Sequence, residues 1–165
     1  MKRFMLLLVL FMFTASCATV NRPKSWDGSY EDFIASCKDY KDVAAFMNTF
    51  VYDWSRGNPI QSPKKTFQSG QAHCVNAAWF ARCTLAQLGY DTKIVHIIRT
   101  GIPHFACAFW VNGELFIIDY GSATLSKRGI HGPLKNLEQW ANFYTSSTGG
   151  YYQVIYRPDR ECNLQ

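Results

Sequence analysis

Charge is scarce in this chain: only 18% of its 165 residues are Asp, Glu, Lys or Arg, while 48% are hydrophobic. Disordered chains have the opposite balance, so a tail or linker protein is excluded. Basic runs are missing as well. The formal charge is +5, but Lys64-Lys65 and Lys127-Arg128 are isolated pairs, which leaves no footprint for a nucleic acid. None of the 6 cysteines forms a CxxC pair, so a zinc ribbon or thioredoxin-type site has no support, and no metal or organic cofactor is expected. The apolar run from Phe4 to Phe13 is too short to cross a bilayer as a mature helix. Glycine (11) and proline (6) follow no repeat, which excludes a collagen-like rod. What remains is the length of one globular domain, able to bury roughly two-thirds of its unfolded surface.

The first residues are read separately. Lys2 and Arg3 precede the apolar run, and small residues follow it, the tripartite pattern of a secretory signal. Its end, Thr14-Ala15-Ser16-Cys17, resembles the lipobox of bacterial lipoproteins, with Thr14 where leucine is usual. Residues 1–16 are therefore expected to be a signal peptide, with Cys17 the lipidated first residue and 17–28 a polar tether. Two or more acyl chains on one cysteine anchor stably where one does not. Ordinary cleavage near Ala18, giving a secreted protein, is the alternative. Export implies an oxidising compartment, where the remaining cysteines, Cys37, Cys74, Cys83, Cys107 and Cys162, leave at least one free thiol. Chain termini are often close, so Cys37 and Cys162 are the expected disulfide.

Residues 29–165 form the expected domain. Ser29 and Asp32 resemble a capping box opening a helix to about Tyr40. Asp42 caps a second helix, whose stripe of Val43, Phe46, Met47, Phe50, Val51 and Trp54 ends at Gly57. A loop with Pro59 and Pro63 follows, then an apolar helix from Cys74 to Leu88 closed by Gly89. The period then changes to two. Residues 93–99, 104–111 and 114–120 read as strands, with Asn112-Gly113 as a two-residue hairpin turn. Residues 121–133 read as a loop, 134–144 as a helix and 151–157 as a closing strand. Helices first and an antiparallel sheet after them give an α+β class.

Cys74 stands at the start of the most apolar helix, where unpaired backbone N–H groups and the helix dipole favour a thiolate. Most cysteines are inert and buried, and Cys83, about 180° round the same helix, is read that way. The hairpin arithmetic selects a base among His73, His96, His104 and His131. If Val111 pairs with Glu114, paired numbers sum to 225, and His104 and Asp119 become diagonal neighbours on one face. Ala106 and Ala108, small residues of that face, leave room for the helix start, while Phe105, Cys107, Phe109, Phe116, Ile118 and Tyr120 form the core face. Cys74, His104 and Asp119 thus read as nucleophile, base and orienter. His131 reads as a solvated loop residue, His96 as structural, and His73 as a neighbour of Cys74 that nothing orients.

At these residues the chain resembles the transglutaminase-like superfamily, which has a papain-like fold. The resemblance runs from about Ala44 to Gly121. It rests on Phe50-Val51-Tyr52-Asp53-Trp54, on Gly70 followed by Cys74-Val75-Asn76-Ala77-Ala78, on Leu88-Gly89-Tyr90, on the His104 strand and on Ile118-Asp119-Tyr120-Gly121. Two departures stand out: Gln71-Ala72-His73 separates the glycine from the cysteine, and His104-Phe105-Ala106 replaces the common His-Ala-Trp. The first bears on the oxyanion hole. The Cys74 N–H is one natural donor. Gln68 matches the position of the oxyanion glutamine of papain-like proteases, with Gln71 and Trp54 as rivals.

The resemblance implies a nucleophile helix packed on an antiparallel sheet, and an exported lipoprotein that cleaves or transfers amide or isopeptide bonds through a thioester. Its substrate would be a protein or peptide, peptidoglycan stem peptides included by location, and its place the cell envelope, facing the periplasm or exterior. Two other readings stand beside it. One is a non-catalytic binding module on the same fold. The other is an NlpC/P60-type peptidoglycan endopeptidase, against which His73-Cys74-Val75-Asn76 stands where Asp-Cys-Ser-Gly is expected.

Overall fold

The computed structural model describes residues 27–55, 59–98, 103–121, 128–148, 153–157 and 162. The expected signal peptide, Cys17 and the tether up to residue 26 lie outside the described residues. Ser29 and Asp32 form the capping box, each bonding the other's backbone N–H, and open α1 (Tyr30–Ser36). The cap of α2 (Tyr40–Met47) is Asp39 rather than Asp42, whose carboxylate instead accepts the Lys38 N–H. The helix also ends earlier than its apolar stripe. Asn48 and Thr49 turn the chain, and Val51–Tyr52 become a short strand, β1. Val51 N–H donates to Gly70 O at 2.9 Å and Asp53 N–H to Ala72 O at 3.0 Å, so long-range backbone pairing overrides the local helical period.

The expected loop contains a helix, α3 (Pro63–Ser69), with Ser62 as N-cap, Pro63 in its first turn and Gly70 closing it at φ 61°. That Ser-Pro start and glycine stop is a recognisable signature. Gly70 leads into β2 (Gln71–Ala72), parallel to β1, and β2 leads directly into α4 (Cys74–Gln87).

Beyond α4 the chain builds β3 (Thr92–Ile98), β4 (His104–Val111), β5 (Glu114–Asp119), β6 (Gly129–Leu134), α5 (Leu137–Thr148) and β7 (Gln153–Arg157). The sheet is antiparallel with order β6-β5-β4-β3-β7. Asn112 and Gly113 turn at φ 52° and 82°, and Val111 pairs with Glu114, the register that a two-residue turn dictates. The stretch read as a loop ends in β6. Pro133 lacks an N–H, which an edge strand tolerates, and β6 is an edge. A side chain at Gly132 would meet the Phe116 ring at 2.4 Å, so that strand needs its glycine to lie this close.

Each face of the sheet is covered. On one, Cys107, Phe109, Phe116, Ile118 and Tyr120 pack against α1, α2 and α4. Ala77 and Ala81 of α4, both 0% exposed, have only methyl groups and let the helix lie close to the strands. On the other face Val95, Ile97, Ala106, Ala108, Leu115 and Ile117 pack on Trp140 of α5. This corrects one expectation: α5 covers the Ala106/Ala108 side, and the helix bearing Cys74 lies on the aromatic side. Larger apolar surface is buried there, and burial scales with area. Among the described residues no helix is long and apolar enough to cross a membrane.

Candidate active site

α4 begins at Cys74, and its N-cap is His73, whose Nδ1 accepts the Val75 N–H at 3.2 Å. That bond needs a neutral imidazole, and burial lowers the His73 pKa despite the Asp53 carboxylate nearby. His73 is thus oriented after all, by the helix it caps. The Cys74 thiol itself is set among donors. Burial pushes its pKa up, but the His104 side chain and the backbone N–H groups of Phe105 and Val75 outweigh this and bring it below the usual thiol value.

His104 starts β4 and Asp119 ends β5, and both lie just past the point where the β4–β5 ladder stops at Cys107 and Ile118. Cys74 therefore meets His104 at the open end of the strand pair. His104 Nε2 and Asp119 Oδ1 are 2.7 Å apart, with the Asp119 side chain fully enclosed. This leaves Nδ1 of His104 for the thiol. Burial alone would lower the His104 pKa; the Asp119 carboxylate, followed by Cys74, raises it to about 10. The other Asp119 oxygen, Oδ2, is buried and has no hydrogen-bond partner among the described residues. A thiolate–imidazolium pair backed by a carboxylate is the arrangement that forms and resolves thioesters.

The sequence reading missed one residue here. Tyr52 of β1 stands beside Cys74, close enough for the Cys74 side chain and backbone to act on its hydroxyl. Its ring lies 4.7 Å from Trp54 and 6.0 Å from Tyr120, nearly parallel to the latter. The signal was the run Phe50-Val51-Tyr52, read as the end of a helix, which hid that Tyr52 stands beside the start of α4. Gln68 and Gln71 are exposed, on α3 and β2, and Trp54 is 65% exposed. His96 is buried with its ring stacked 4.2 Å from that of Phe105, a structural role. His131 is in β6, paired with Ile117, so it is a strand residue and not part of a loop.

The cysteine pairing is corrected. Cys162 is bonded to Cys83, and Cys37 is free. Proximity of the termini was the wrong guide, because β7 joins the β3 edge of the sheet and the chain beyond it reaches the back of α4. Cys83, read as inert, is the partner on the helix face opposite Cys74. Cys37 is held up at a pKa of about 11 by burial and by Asp42 and Asp39, and Cys107 is buried. Among the described residues no group of His, Cys, Asp and Glu is placed to hold a metal ion.

Comparison with known proteins gives a family and a few distant folds. A family model described as a transglutaminase-like domain matches residues 26–131. Among solved structures, calcium-bound Legionella pneumophila LapG is 21% identical with a TM-score of 0.43, covering 48% of this chain and 51% of its own. A structure titled as a TGase is 16% identical with a TM-score of 0.44, covering 70% of this chain and 39% of its own. The chain therefore spans about half the length of LapG and less of the TGase. No curated protein matches.

Proposed function

Since the chain belongs to the transglutaminase-like domain family, we propose that it is a cysteine enzyme of the cell envelope, exported and lipid-anchored through Cys17. It acts on amide or isopeptide bonds of a protein or peptide, including peptidoglycan stem peptides as a candidate substrate. The observation that carries this reading is the line Cys74–His104–Asp119, with a lowered thiol and a raised imidazole in contact. The Cys83–Cys162 disulfide fits the oxidising side of a membrane.

The chemistry follows from those groups. The Cys74 thiolate adds to the substrate carbonyl carbon, and the C=O electron pair moves onto oxygen. As the C–N bond breaks, the His104 imidazolium gives its proton to the leaving amine, and a thioester remains on Cys74. Water or a second amine, losing a proton to His104, then releases the acyl group and restores the thiolate. Asp119 keeps His104 in the required tautomer throughout.

Labelling with iodoacetamide at mildly acidic pH tests the reading. Rapid modification of Cys74, with Cys37 and Cys107 untouched, is expected from the lowered thiol. Modification of Cys74 no faster than of Cys37 would favour a binding module that keeps the fold without the chemistry.

A further inference from the structure

The oxyanion hole needs a second donor beside the Cys74 N–H, and both glutamines expected there face solvent. The site holds another group in the right place. We infer that the Tyr52 hydroxyl is that donor, standing beside Cys74 at rest and turned onto the substrate's carbonyl oxygen as the tetrahedral intermediate forms.

The placement comes from β1. Backbone pairing of Val51 with Gln71 and Tyr52 with Ala72 brings Tyr52 next to the two residues that lead into α4. The ring is fixed from both sides, by Trp54 and by Tyr120, whose own hydroxyl donates to the Phe50 carbonyl at the entry to β1. The Arg128 guanidinium sits 4.3 Å over the Tyr120 ring and holds that platform in turn. The hydroxyl lies beside Cys74, close enough for both its side chain and its backbone to act on the phenol. A carbonyl carbon bonded to Sγ must put its oxygen near that N–H, so the oxygen arrives beside the phenol. Sγ forms the new bond, the carbonyl pair becomes the oxyanion, and Tyr52 keeps its proton while donating. Burial, with the Cys74 charge next, holds the Tyr52 pKa up to about 12, so the phenol remains a donor at any physiological pH.

The inference rests on Cys74 being a nucleophile, and two reagents separate the two ideas. Iodoacetamide alkylates by displacement at carbon and forms no oxyanion; p-nitrophenyl acetate acylates through one. Both depend equally on the thiolate fraction, so their rate ratio isolates the oxyanion term. In the full chain, Tyr52→Phe keeps the ring and its stacking, and should lower the acylation-to-alkylation ratio at Cys74 by at least about tenfold. An unchanged or increased ratio overturns the inference while leaving the enzyme reading intact. So does a fall in Gln68→Ala or Gln71→Ala with Tyr52→Phe unaffected. A Cys74 inert to both reagents in the unmodified chain overturns the enzyme reading and this inference with it.

Discussion

At the scale of single residues, the balance around His104 sets the pH behaviour. Its pKa is raised to about 10, chiefly by Asp119, and that of Cys74 is lowered by His104. The thiolate–imidazolium form thus exists from a pH below the usual thiol value up to about 10. Turnover should rise on an acid limb set by Cys74 and fall on an alkaline limb near pH 10, where His104 loses the proton it must donate. Asp119→Asn removes the carboxylate that raises His104, so the alkaline limb should move towards the ordinary histidine value of about 6.5. The same change should lower turnover by up to about four orders of magnitude, the loss seen in serine triads, and less if the thiolate forms unaided. His104→Ala should raise the Cys74 thiol pKa further than Asp119→Asn does, since the imidazolium is the nearer charge. The pH dependence of iodoacetamide labelling measures this; equal pKa values in all three proteins would remove His104 from the site. The contact of His104 with Asp119 was legible beforehand, because Asn112-Gly113 dictates a register and that register puts the two together. Tyr52 was not, since the pairing that places it joins residues twenty positions apart, Val51 with Gln71 and Tyr52 with Ala72, and leaves no local period.

At the scale of elements, α4 is the piece that everything else positions. Phe80 is its main anchor, 0% exposed, with ring centroids of Tyr30, Phe33, Phe46 and Phe50 all within 6.1 Å. Those four rings belong to α1, α2 and the chain just before β1, so one side chain ties three segments to the nucleophile helix. Phe80→Ala should cost about 3–5 kcal/mol of unfolding free energy, the range for truncating a buried aromatic. Denaturant unfolding checks it, and a loss below about 1 kcal/mol would mean the cluster repacks without that ring. The helix itself was easy to read from its apolar composition and Gly89 stop. Which sheet face it covers was not. Small residues at 106 and 108 look like room for a helix, but Ala77 and Ala81 supply that room on the helix side, and the aromatic face of the sheet has more area to bury. The short elements β1, α3, β2 and β6 escaped for a common reason: their signals are caps, glycines and long-range backbone pairing, while hydrophobic period reads only stripes.

At the scale of the whole molecule, one covalent link and one expected anchor act at opposite ends. The disulfide joins Cys162, near the end of the chain, to the back of α4 across a separation of 79 residues. Closing a loop of that size removes unfolded-state entropy worth about 4 kcal/mol in the chain-entropy model. Cys162→Ala should therefore lower stability by about 2–4 kcal/mol while sparing Cys74 labelling, since Cys83 lies on the helix face away from it. Thermal unfolding of this variant beside the parent is the measurement, and an unchanged Tm would mean the link does not form in solution.

The proposed anchor at the other end bears on where the proposed enzyme could work. Cys17 follows a positive start, an apolar run and Thr14-Ala15-Ser16, and the domain opens at Ser29 with its capping box. A tether of residues 17–28, extended at about 3.3 Å per residue, would reach at most about 40 Å. Lipidation at Cys17 would thus confine Cys74 to a thin layer above the membrane, where bonds in neighbouring lipoproteins or in the nearest peptidoglycan would be in range and distant ones would not. Cys17→Ala should move the protein from the detergent phase to the aqueous phase in a partition assay. It should leave Cys74 labelling unchanged, because nothing in the triad depends on the anchor. Partition identical to the parent would refute lipidation at Cys17 and with it the reach limit. Loss of labelling along with the shift would instead mean that attachment to the membrane is needed for the domain to fold.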